Sequence, residues 1–421
     1  PKYPQYKDSG VEWLGSVPAH WSMAPFKRLV DIQNGADHKD IEQEAGYPVI
    51  GSGGAFAFAS DYMYDGESVL LGRKGTIDKP LFVTGRFWTV DTMYWTKVAP
   101  DANARFAYYT ALTIPFDYYS TNTALPSMTK GILHAHLVAY PPRPEQDAIA
   151  VFLDRETAKI DALVEEQKRL IELLKEKRQA VISQAVTKGL DPNVPMKDSG
   201  VEWLGEVPAH WAVRTIGTLA TVVRGASPRP AGDPTLFDGD HIPWVTVGEI
   251  TKDDSVELTA TNTCLTALGA ERSRLFRSGT LLYSNSGATL GVPKVLCVDA
   301  CANDGVVGFE NLSELVSLMF LYRYLGSLTQ TVREMVKQGA GQPNLNTDLV
   351  KNFVIALPPL MEQKSIGEHI DGIVSHFDQL SAEASLAMDL LTERRSALIS
   401  AAVTGKIDVR GLAPQPEGAA A

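Results

Sequence analysis

The sequence predicts an α+β protein built twice. Two globular, sheet-containing bodies are each followed by one long helix, and the two helices pair as an antiparallel coiled coil. Three observations carry that expectation. A long helical pattern is spelled twice at constant spacing, a Trp-rich block is spelled twice almost letter for letter, and the stretches between share a texture but little identity. The result is an internal pseudo-two-fold repeat. Its expected segments are a first block at 1–21, a first body at 22–144, a first helix at 145–189, a second block at 190–211, a second body at 212–361, a second helix at 362–406 and a flexible tail at 407–421.

The block comes first in the chain. Lys7–Trp21 reads KDSGVEWLGSVPAHW and Lys197–Trp211 reads KDSGVEWLGEVPAHW, so only Ser16 and Glu206 differ. Two tryptophans and a Gly-x-x-Pro turn in so short a segment suggest a packed clip. The other reading is a partner-binding surface through Trp13, Trp21, Trp203 and Trp211, and the block can serve as both.

Each body is a series of short apolar runs broken by glycine, the pattern of an irregular sheet domain. In the first body the runs are Tyr47–Gly51, Ser68–Gly72, Leu81–Thr84 and Trp88–Trp95, with a helix expected over Ala102–Leu112. In the second they are Trp244–Val247, Thr280–Tyr283 and Lys294–Val298, with a helix expected over Ser313–Met335. Variable bodies on a fixed frame imply one scaffold carrying two different readers.

Both helices follow a Pro-Pro pair (Pro141-Pro142, Pro358-Pro359), begin Glu-Gln (Glu145-Gln146, Glu362-Gln363) and end Val-Thr (Val186-Thr187, Val403-Thr404), always 217 residues apart. Ile149, Leu153, Ile160, Leu163, Leu170, Leu174 and Val181 recur at steps suited to a coiled-coil seam, as do Ile366, Ile370, Phe377, Leu380, Ala387, Leu391 and Leu398. Gly189 and Gly405 fall where a left-handed cap is expected. Each helix is roughly 60 Å long at 1.5 Å per residue. Parallel pairing would make Lys188–Trp211 run back over that length while also folding the block, close to the limit of an extended chain. Antiparallel pairing needs no return and sets the bodies at opposite ends.

Composition bounds the function. A chain of 421 residues, 44% hydrophobic, holds two or three domains and has no apolar run near the ~18 residues of a membrane helix. No apolar signal core follows Pro1. Cys264, Cys297 and Cys301 lack Cys-x-x-Cys spacing and read as reduced thiols of a cytoplasmic protein, with no metal site. A formal charge of −11 argues against a simple nucleic-acid binder. The acidity is uneven, however: the second helix carries Glu362, Glu368, Asp371, Asp378, Glu383, Asp389 and Glu393 against Lys364, Arg394 and Arg395.

Catalytic motifs fail. The Pro-Pro pairs are followed by Arg143 and Leu360 rather than the aromatic of an amino-methyltransferase loop, and Gly51–Gly54 lacks the Lys-Ser/Thr of a phosphate-binding loop. Glu166-Gln-Lys168 lies mid-helix without a paired aspartate. What remains is two Gly-rich loops. Gly72–Lys79 offers Arg73, Lys74, Thr76 and Lys79, types that reach guanine edges or phosphates. Ser284–Gly291 offers Asn285, Ser286 and Thr289, followed by Lys294. Plain hairpin turns are the other reading. Ahead of each helix lie Ser127, Thr129 and Lys130, and then Asn344 and Asn346, suited equally to helix capping or base contact.

Two variable bodies, each followed by a Pro-Pro-x-x-Glu-Gln helix, with the repeated Gly-Val-Glu-Trp-Leu-Gly-x-Val-Pro-x-His-Trp block, resemble the specificity subunit of type I restriction-modification systems along nearly the whole chain. The resemblance implies two target-recognition domains reading a bipartite site in double-stranded DNA, and no catalytic residue or cofactor on this chain. It implies two methyltransferase subunits carrying S-adenosylmethionine. Where restriction subunits join, two of them supply ATP- and Mg-dependent translocation and cleavage. A stand-alone two-domain repressor and a scaffold without nucleic acid are the alternatives that the residues leave open.

Overall fold

The computed structural model describes residues 1–119, 126–287, 289–337 and 345–412. It divides into two compact units, residues 1–169 with 384–421 and residues 170–383, so each unit holds one body and one end of each long helix. Asn344 and the end of the tail lie outside the described residues.

In the first unit, Leu81–Val83, Ser68–Gly72, Met93–Val98 and Val30–Asn34 form an antiparallel sheet in that order. A second sheet runs Glu42–Gln43, Gly54–Ala59, Tyr47–Gly51, Arg86–Thr89, Tyr64–Asp65, with Arg86–Thr89 parallel to Tyr47–Gly51. The single strand expected over Trp88–Trp95 is therefore two strands in different sheets. The exposed Asp91 and Thr92 break the alternation, and the turn closes from Met93 N–H to the Val90 carbonyl at 3.0 Å.

The second unit repeats the plan. One sheet runs Thr221–Arg224, Val306–Glu310, Leu281–Ser284, Pro293–Leu296, Glu257–Leu258, and the other Cys264–Leu265, Ile242–Val245, Ala300–Ala302, Arg274–Phe276. The helix expected over Ser313–Met335 is two helices, Leu318–Ser327 and Thr329–Lys337. The Ser317 side chain caps the first, and the Thr329 hydroxyl donates to the carbonyls of Gly326 and Gly291 where the axis breaks. The helix of the first body is Ala104–Ala111, capped by Asn103.

Each body closes on itself. Ser22 pairs with Tyr140 and Pro25 with Leu137 in one ladder; Ala212 pairs with Leu357 and Thr215 with Val354 in the other. The chain thus enters and leaves each body through two adjacent strands.

The long helices are Arg143–Lys188 and Leu360–Val403, about 65–70 Å each. They start two residues before Glu145 and Glu362 because the carbonyls of Pro142 and Pro359 already accept from the Glu-Gln amides. Pro144 is tolerated in a first turn, where its missing N–H has no helical acceptor. Pairing is antiparallel inside each unit. Ile149, Phe152 and Leu153 share a core with Ile399, Ala402 and Val403; Ala185 and Val186 share one with Ile366 and Ile370. The ion pair Asp161–Arg395 at 2.8 Å has its repeat counterpart in Asp378–Arg178 at 3.7 Å. Mid-helix the seam departs from expectation. Leu163 and Leu170 are 44% and 41% exposed. The inward stripe instead runs Ile160, Val164, Gln167, Ile171, Leu174. A leucine one position off the stripe preserves the periodic look of the sequence but faces water.

The Trp blocks tie helix ends together. Each is a hairpin, Tyr6–Asp8 with Ser16–Pro18 and Met196–Asp198 with Glu206–Pro208. Trp21 and Trp211 are 0% and 1% exposed, so neither is available as the partner contact expected of it. Trp21 Nε1–H donates to Glu145 at 3.0 Å, and His20 Nε2 lies 2.6 Å from the other carboxylate oxygen. Trp211 and His210 hold Glu362 in the same way at 3.0 and 2.8 Å. Opposite, Gly405 and Gly189 take the expected left-handed conformation at φ +72° and +78°. A Cβ on Gly405 would fall 2.3 Å from Pro18 and 2.9 Å from Trp21. One tryptophan therefore seals the start of one helix against the end of the other.

The adjacent glutamines bolt the bodies to this frame. Gln146, fully buried, accepts from Asn103 N–H at 2.9 Å and donates to the Pro141 carbonyl at 3.0 Å. Gln363 accepts from Ser317 N–H at 2.8 Å and donates to the carbonyls of Leu315 and Pro358 at 2.8 and 2.9 Å. Asn103 and Ser317 are the N-caps of the corresponding body helices, so both bodies dock through one device.

Candidate nucleic-acid interface

The strand Ser68–Gly72 ends in the first Gly-rich loop. Gly72 is required there, because a Cβ would lie 2.3 Å from the Thr76 carbonyl oxygen. Arg73 and Lys74 N–H both donate to the Thr92 carbonyl, at 2.9 and 3.1 Å. The loop also pairs with the segment before the first long helix: Gly75 N–H donates to the Pro126 carbonyl, Met128 N–H to that of Arg73, both at 3.0 Å, and Lys74 bridges to Ser127. Two stretches far apart in sequence thus form one surface. Buried Ile77 anchors it, leaving Lys74, Thr76 and Lys79 exposed and Arg73, Ser127 and Lys130 half-buried. The Arg73 guanidinium donates to the Asp91 carbonyl at 3.2 Å and stands over the Tyr94 ring. Thr129 is a helix cap, accepting from Ile132 N–H at 3.3 Å, so of its two expected uses capping is the one observed.

The second body lays the same backbone under different side chains. Asn285 N–H donates to the Gly305 carbonyl at 3.0 Å, and Leu345 N–H to the Asn285 carbonyl at 2.7 Å, as Arg73 does with Thr92 and Met128. Gly287 and Gly75 share a left-handed φ, +81° and +80°. Thr289 is exposed and Ser286 half-buried.

Two expected contacts in the second body are corrected, and the exposed Asn346 shows capping, one of its two expected uses. Asn285 is fully buried and its Nδ2–H donates to the Leu345 carbonyl at 3.0 Å, which makes it part of the loop's own structure. Asn346 caps the helix Thr347–Lys351 through Leu349 N–H at 2.8 Å. Lys294 is 1% exposed; its ammonium donates to the Asp253 carboxylate and carbonyl and to Ser255. The Lys294 contact, together with the Ser255 hydroxyl and amide that also donate to it, holds the Asp253 carboxyl well below its usual range. A lysine so enclosed fixes the 253–255 loop and reaches no ligand.

A further loop, unmarked in the sequence reading, borders each surface. Gly35 and Gly225 sit 190 residues apart, and a Cβ on either would fall 2.0 Å from the Val90 and 2.2 Å from the Asn303 carbonyl oxygen. Beside Gly225 the exposed Arg224, Arg229 and the remote Arg272 gather round Asp304: Arg224 Nε donates to its carbonyl at 2.6 Å, Arg229 stands 3.9 Å from its carboxylate, and Arg272 donates to the Arg229 carbonyl at 3.4 Å. The shared Gly-Ala dipeptide at the block's own spacing was the available signal. Among the described residues no cluster of His, Cys, Asp or Glu could hold a metal ion, and no helix is long and apolar enough to cross a membrane.

The other two tryptophans of the blocks, Trp13 and Trp203, are exposed. Trp13, 42% exposed, stacks on His136 at 4.8 Å; Trp203 is 37% exposed. His136 is the repeat counterpart of Phe353, since Phe26 and Ile216 N–H donate to their respective carbonyls. Burial pushes the His136 pKa down to about 4, and its Nε2 has no partner. The depressed value means that neutral His136 favours the fold fully above the ordinary pKa near 6.5, and that this contribution is lost as pH falls from there to about 4. Denaturant midpoints at pH 7 and 4.5 should therefore fall further apart in the natural chain than in His136→Phe, by the equivalent of about 2–3 kcal/mol. Equal pH dependence in both would show that His136 gains water on protonation.

Residues 18–173 and 208–384 match the family model described as the type I restriction modification DNA specificity domain. The chain is 21% identical over 430 residues to the putative type I restriction enzyme MjaX specificity subunit of Methanocaldococcus jannaschii, covering 94% of this chain and 96% of that protein. It is 21% identical to the EcoBI specificity subunit of Escherichia coli, covering 97% and 91%. Its fold is similar to a chain solved in work on complex assembly and conformational transition of a type I R-M system (TM-score 0.65, 16% identity, covering 93% and 99%). It is also similar to the HsdS subunit of Thermoanaerobacter tengcongensis (TM-score 0.52, 15% identity, covering 93% and 98%).

Proposed function

The chain belongs to the type I restriction-modification DNA specificity family, and on that premise we propose how its residues divide the work of reading a bipartite DNA target. As a specificity subunit it takes no catalytic step. It recognises DNA through two domains and assembles with methyltransferase subunits, two of them in this reading, which carry S-adenosylmethionine. Restriction subunits, where present, add ATP and Mg. The first body reads with Arg73 and Lys74, supported by Thr76, Lys79, Ser127 and Lys130. The second reads with Ser286 and Thr289 and with Arg224, Arg229 and Arg272. Trp13 and Trp203 face partner subunits.

The observation that carries this reading is the shared loop skeleton. The hydrogen bonds at Arg73 and Asn285 coincide, the left-handed glycines coincide, and the side chains between them do not. A fixed backbone with variable polar groups is what sequence discrimination in a groove needs, since phosphate contacts position and base edges specify. The acidic net charge fits a subunit whose partners supply much of the phosphate contact. The test is methylation of a target library by the chain assembled with its methyltransferase subunit. Arg73→Ala should relax one position of one half-site by about 1–3 kcal/mol. A uniform loss across all sequences would recast Arg73 as a phosphate contact.

A further inference from the structure

One apolar group at the first reading surface has no place in hydrogen-bonded readout. The strand Gly54–Ala59 pairs with Tyr47–Gly51 through a bulge: Val49 faces Ala57 and Ile50 faces Ala55, which leaves Phe56 as the extra residue. Phe56 is 61% exposed, although it lies within a five-stranded sheet. Bulges re-aim side chains and recur beside functional sites. Here the small neighbours Ala55 and Ala57 leave the ring standing clear.

Its surroundings hold the ring in one direction. His38 packs edge-on at 5.3 Å. A Cβ on Gly51 would lie 3.3 Å from the Phe56 ring and 3.9 Å from Val90, so both side chains flank that glycine. Val90 is followed by Asp91 and Thr92, whose carbonyls hold the Arg73 guanidinium and the Arg73 and Lys74 amides. Phe56 is therefore continuous with the cationic loop, on the same run of backbone. Among the described residues the second body has no such feature: the strand that corresponds to Tyr47–Gly51, Ile242–Val245, leads into the helix Val247–Ile250.

We infer that Phe56 reads the 5-methyl group of a thymine in the half-site of the first body. This rests on the DNA-reading function proposed above. A phenyl ring has no donor or acceptor for a base edge, and the thymine methyl is the apolar group that the major groove presents. Covering it removes from water both the methyl and a ring that the fold leaves exposed.

The test replaces each thymine of the target by deoxyuridine, which deletes the methyl alone, and measures equilibrium binding by the chain assembled with its methyltransferase subunit. One thymine of the first half-site should show roughly fourfold weaker binding on replacement, the loss of one buried methyl. In Phe56→Ala that ratio should fall to about one, while Phe58→Ala and Arg73→Ala keep it. The inference is overturned by a first half-site without thymine, by no uridine-sensitive position there, by an unchanged ratio in Phe56→Ala, or by Phe56→Ala blocking assembly instead. If Arg73→Ala also alters no position of that half-site, the DNA reading of the loop fails as well. If Arg73→Ala does alter one, the Phe56 inference alone is lost.

Discussion

Exchanging Ser22–Tyr140 for the body of another specificity subunit is expected to change one half of the DNA target and leave the other half unaltered. The structure gives the exchange a mechanical basis. Ser22 and Tyr140 are partners in one ladder, so a foreign body enters and leaves through adjacent strands. Beside the shared apolar core, the attachment to the first long helix includes the N-cap residue Asn103, whose backbone N–H meets Gln146, and Tyr109, whose hydroxyl donates to Asp154 at 2.7 Å. Any body that presents a capped helix at that place keeps the backbone bond, because it uses no side chain of the guest. Each base pair misread costs about 1–3 kcal/mol and well-separated positions add, so loss of a whole half-site is a change of several orders of magnitude. Methylation of a randomised library reads it directly. A change in both half-sites would mean that the bodies are not independent readers.

Gln363→Leu should be among the most destabilising single changes in the frame. Leucine fills a similar volume but strands Ser317 N–H and the carbonyls of Leu315 and Pro358, all close to the buried glutamine. The Pro358 carbonyl is buried and the other two groups only partly so; at about 1–3 kcal/mol for a buried group left without a partner, and less for a part-exposed one, the loss is about 2–4 kcal/mol. That is a large share of the 5–15 kcal/mol that typically holds a domain. Gln146→Leu strands only Asn103 N–H and the Pro141 carbonyl and should cost less. Urea denaturation of the full chain measures both. A neutral Gln363→Leu, or the reverse ranking, would show that water enters and replaces the bonds.

Sequence alone established what is local or repeated. The 217-residue spacing of the helices, the Pro-Pro entry, the left-handed Gly189 and Gly405 and most of the strands follow from periodicity and backbone chemistry, which neighbours along the chain determine. The antiparallel sense also followed, since a return of the link after the first helix would take it close to the limit of an extended chain while also folding the block. Tertiary structure alone decided which side chains remain available. Lys294 and Lys74 are the same kind of residue in sequence, yet one is enclosed by Asp253 and Ser255 and the other is exposed. Trp21 and Trp13 stand eight residues apart in one block; the end of the second helix covers the first, and the second stays 42% exposed. Leu163 keeps the helical period and faces solvent, because burial depends on the partner helix rather than on spacing. Arg229 and Phe56 became visible as candidates only when remote segments met, for a side chain's role is set by what distant residues leave uncovered.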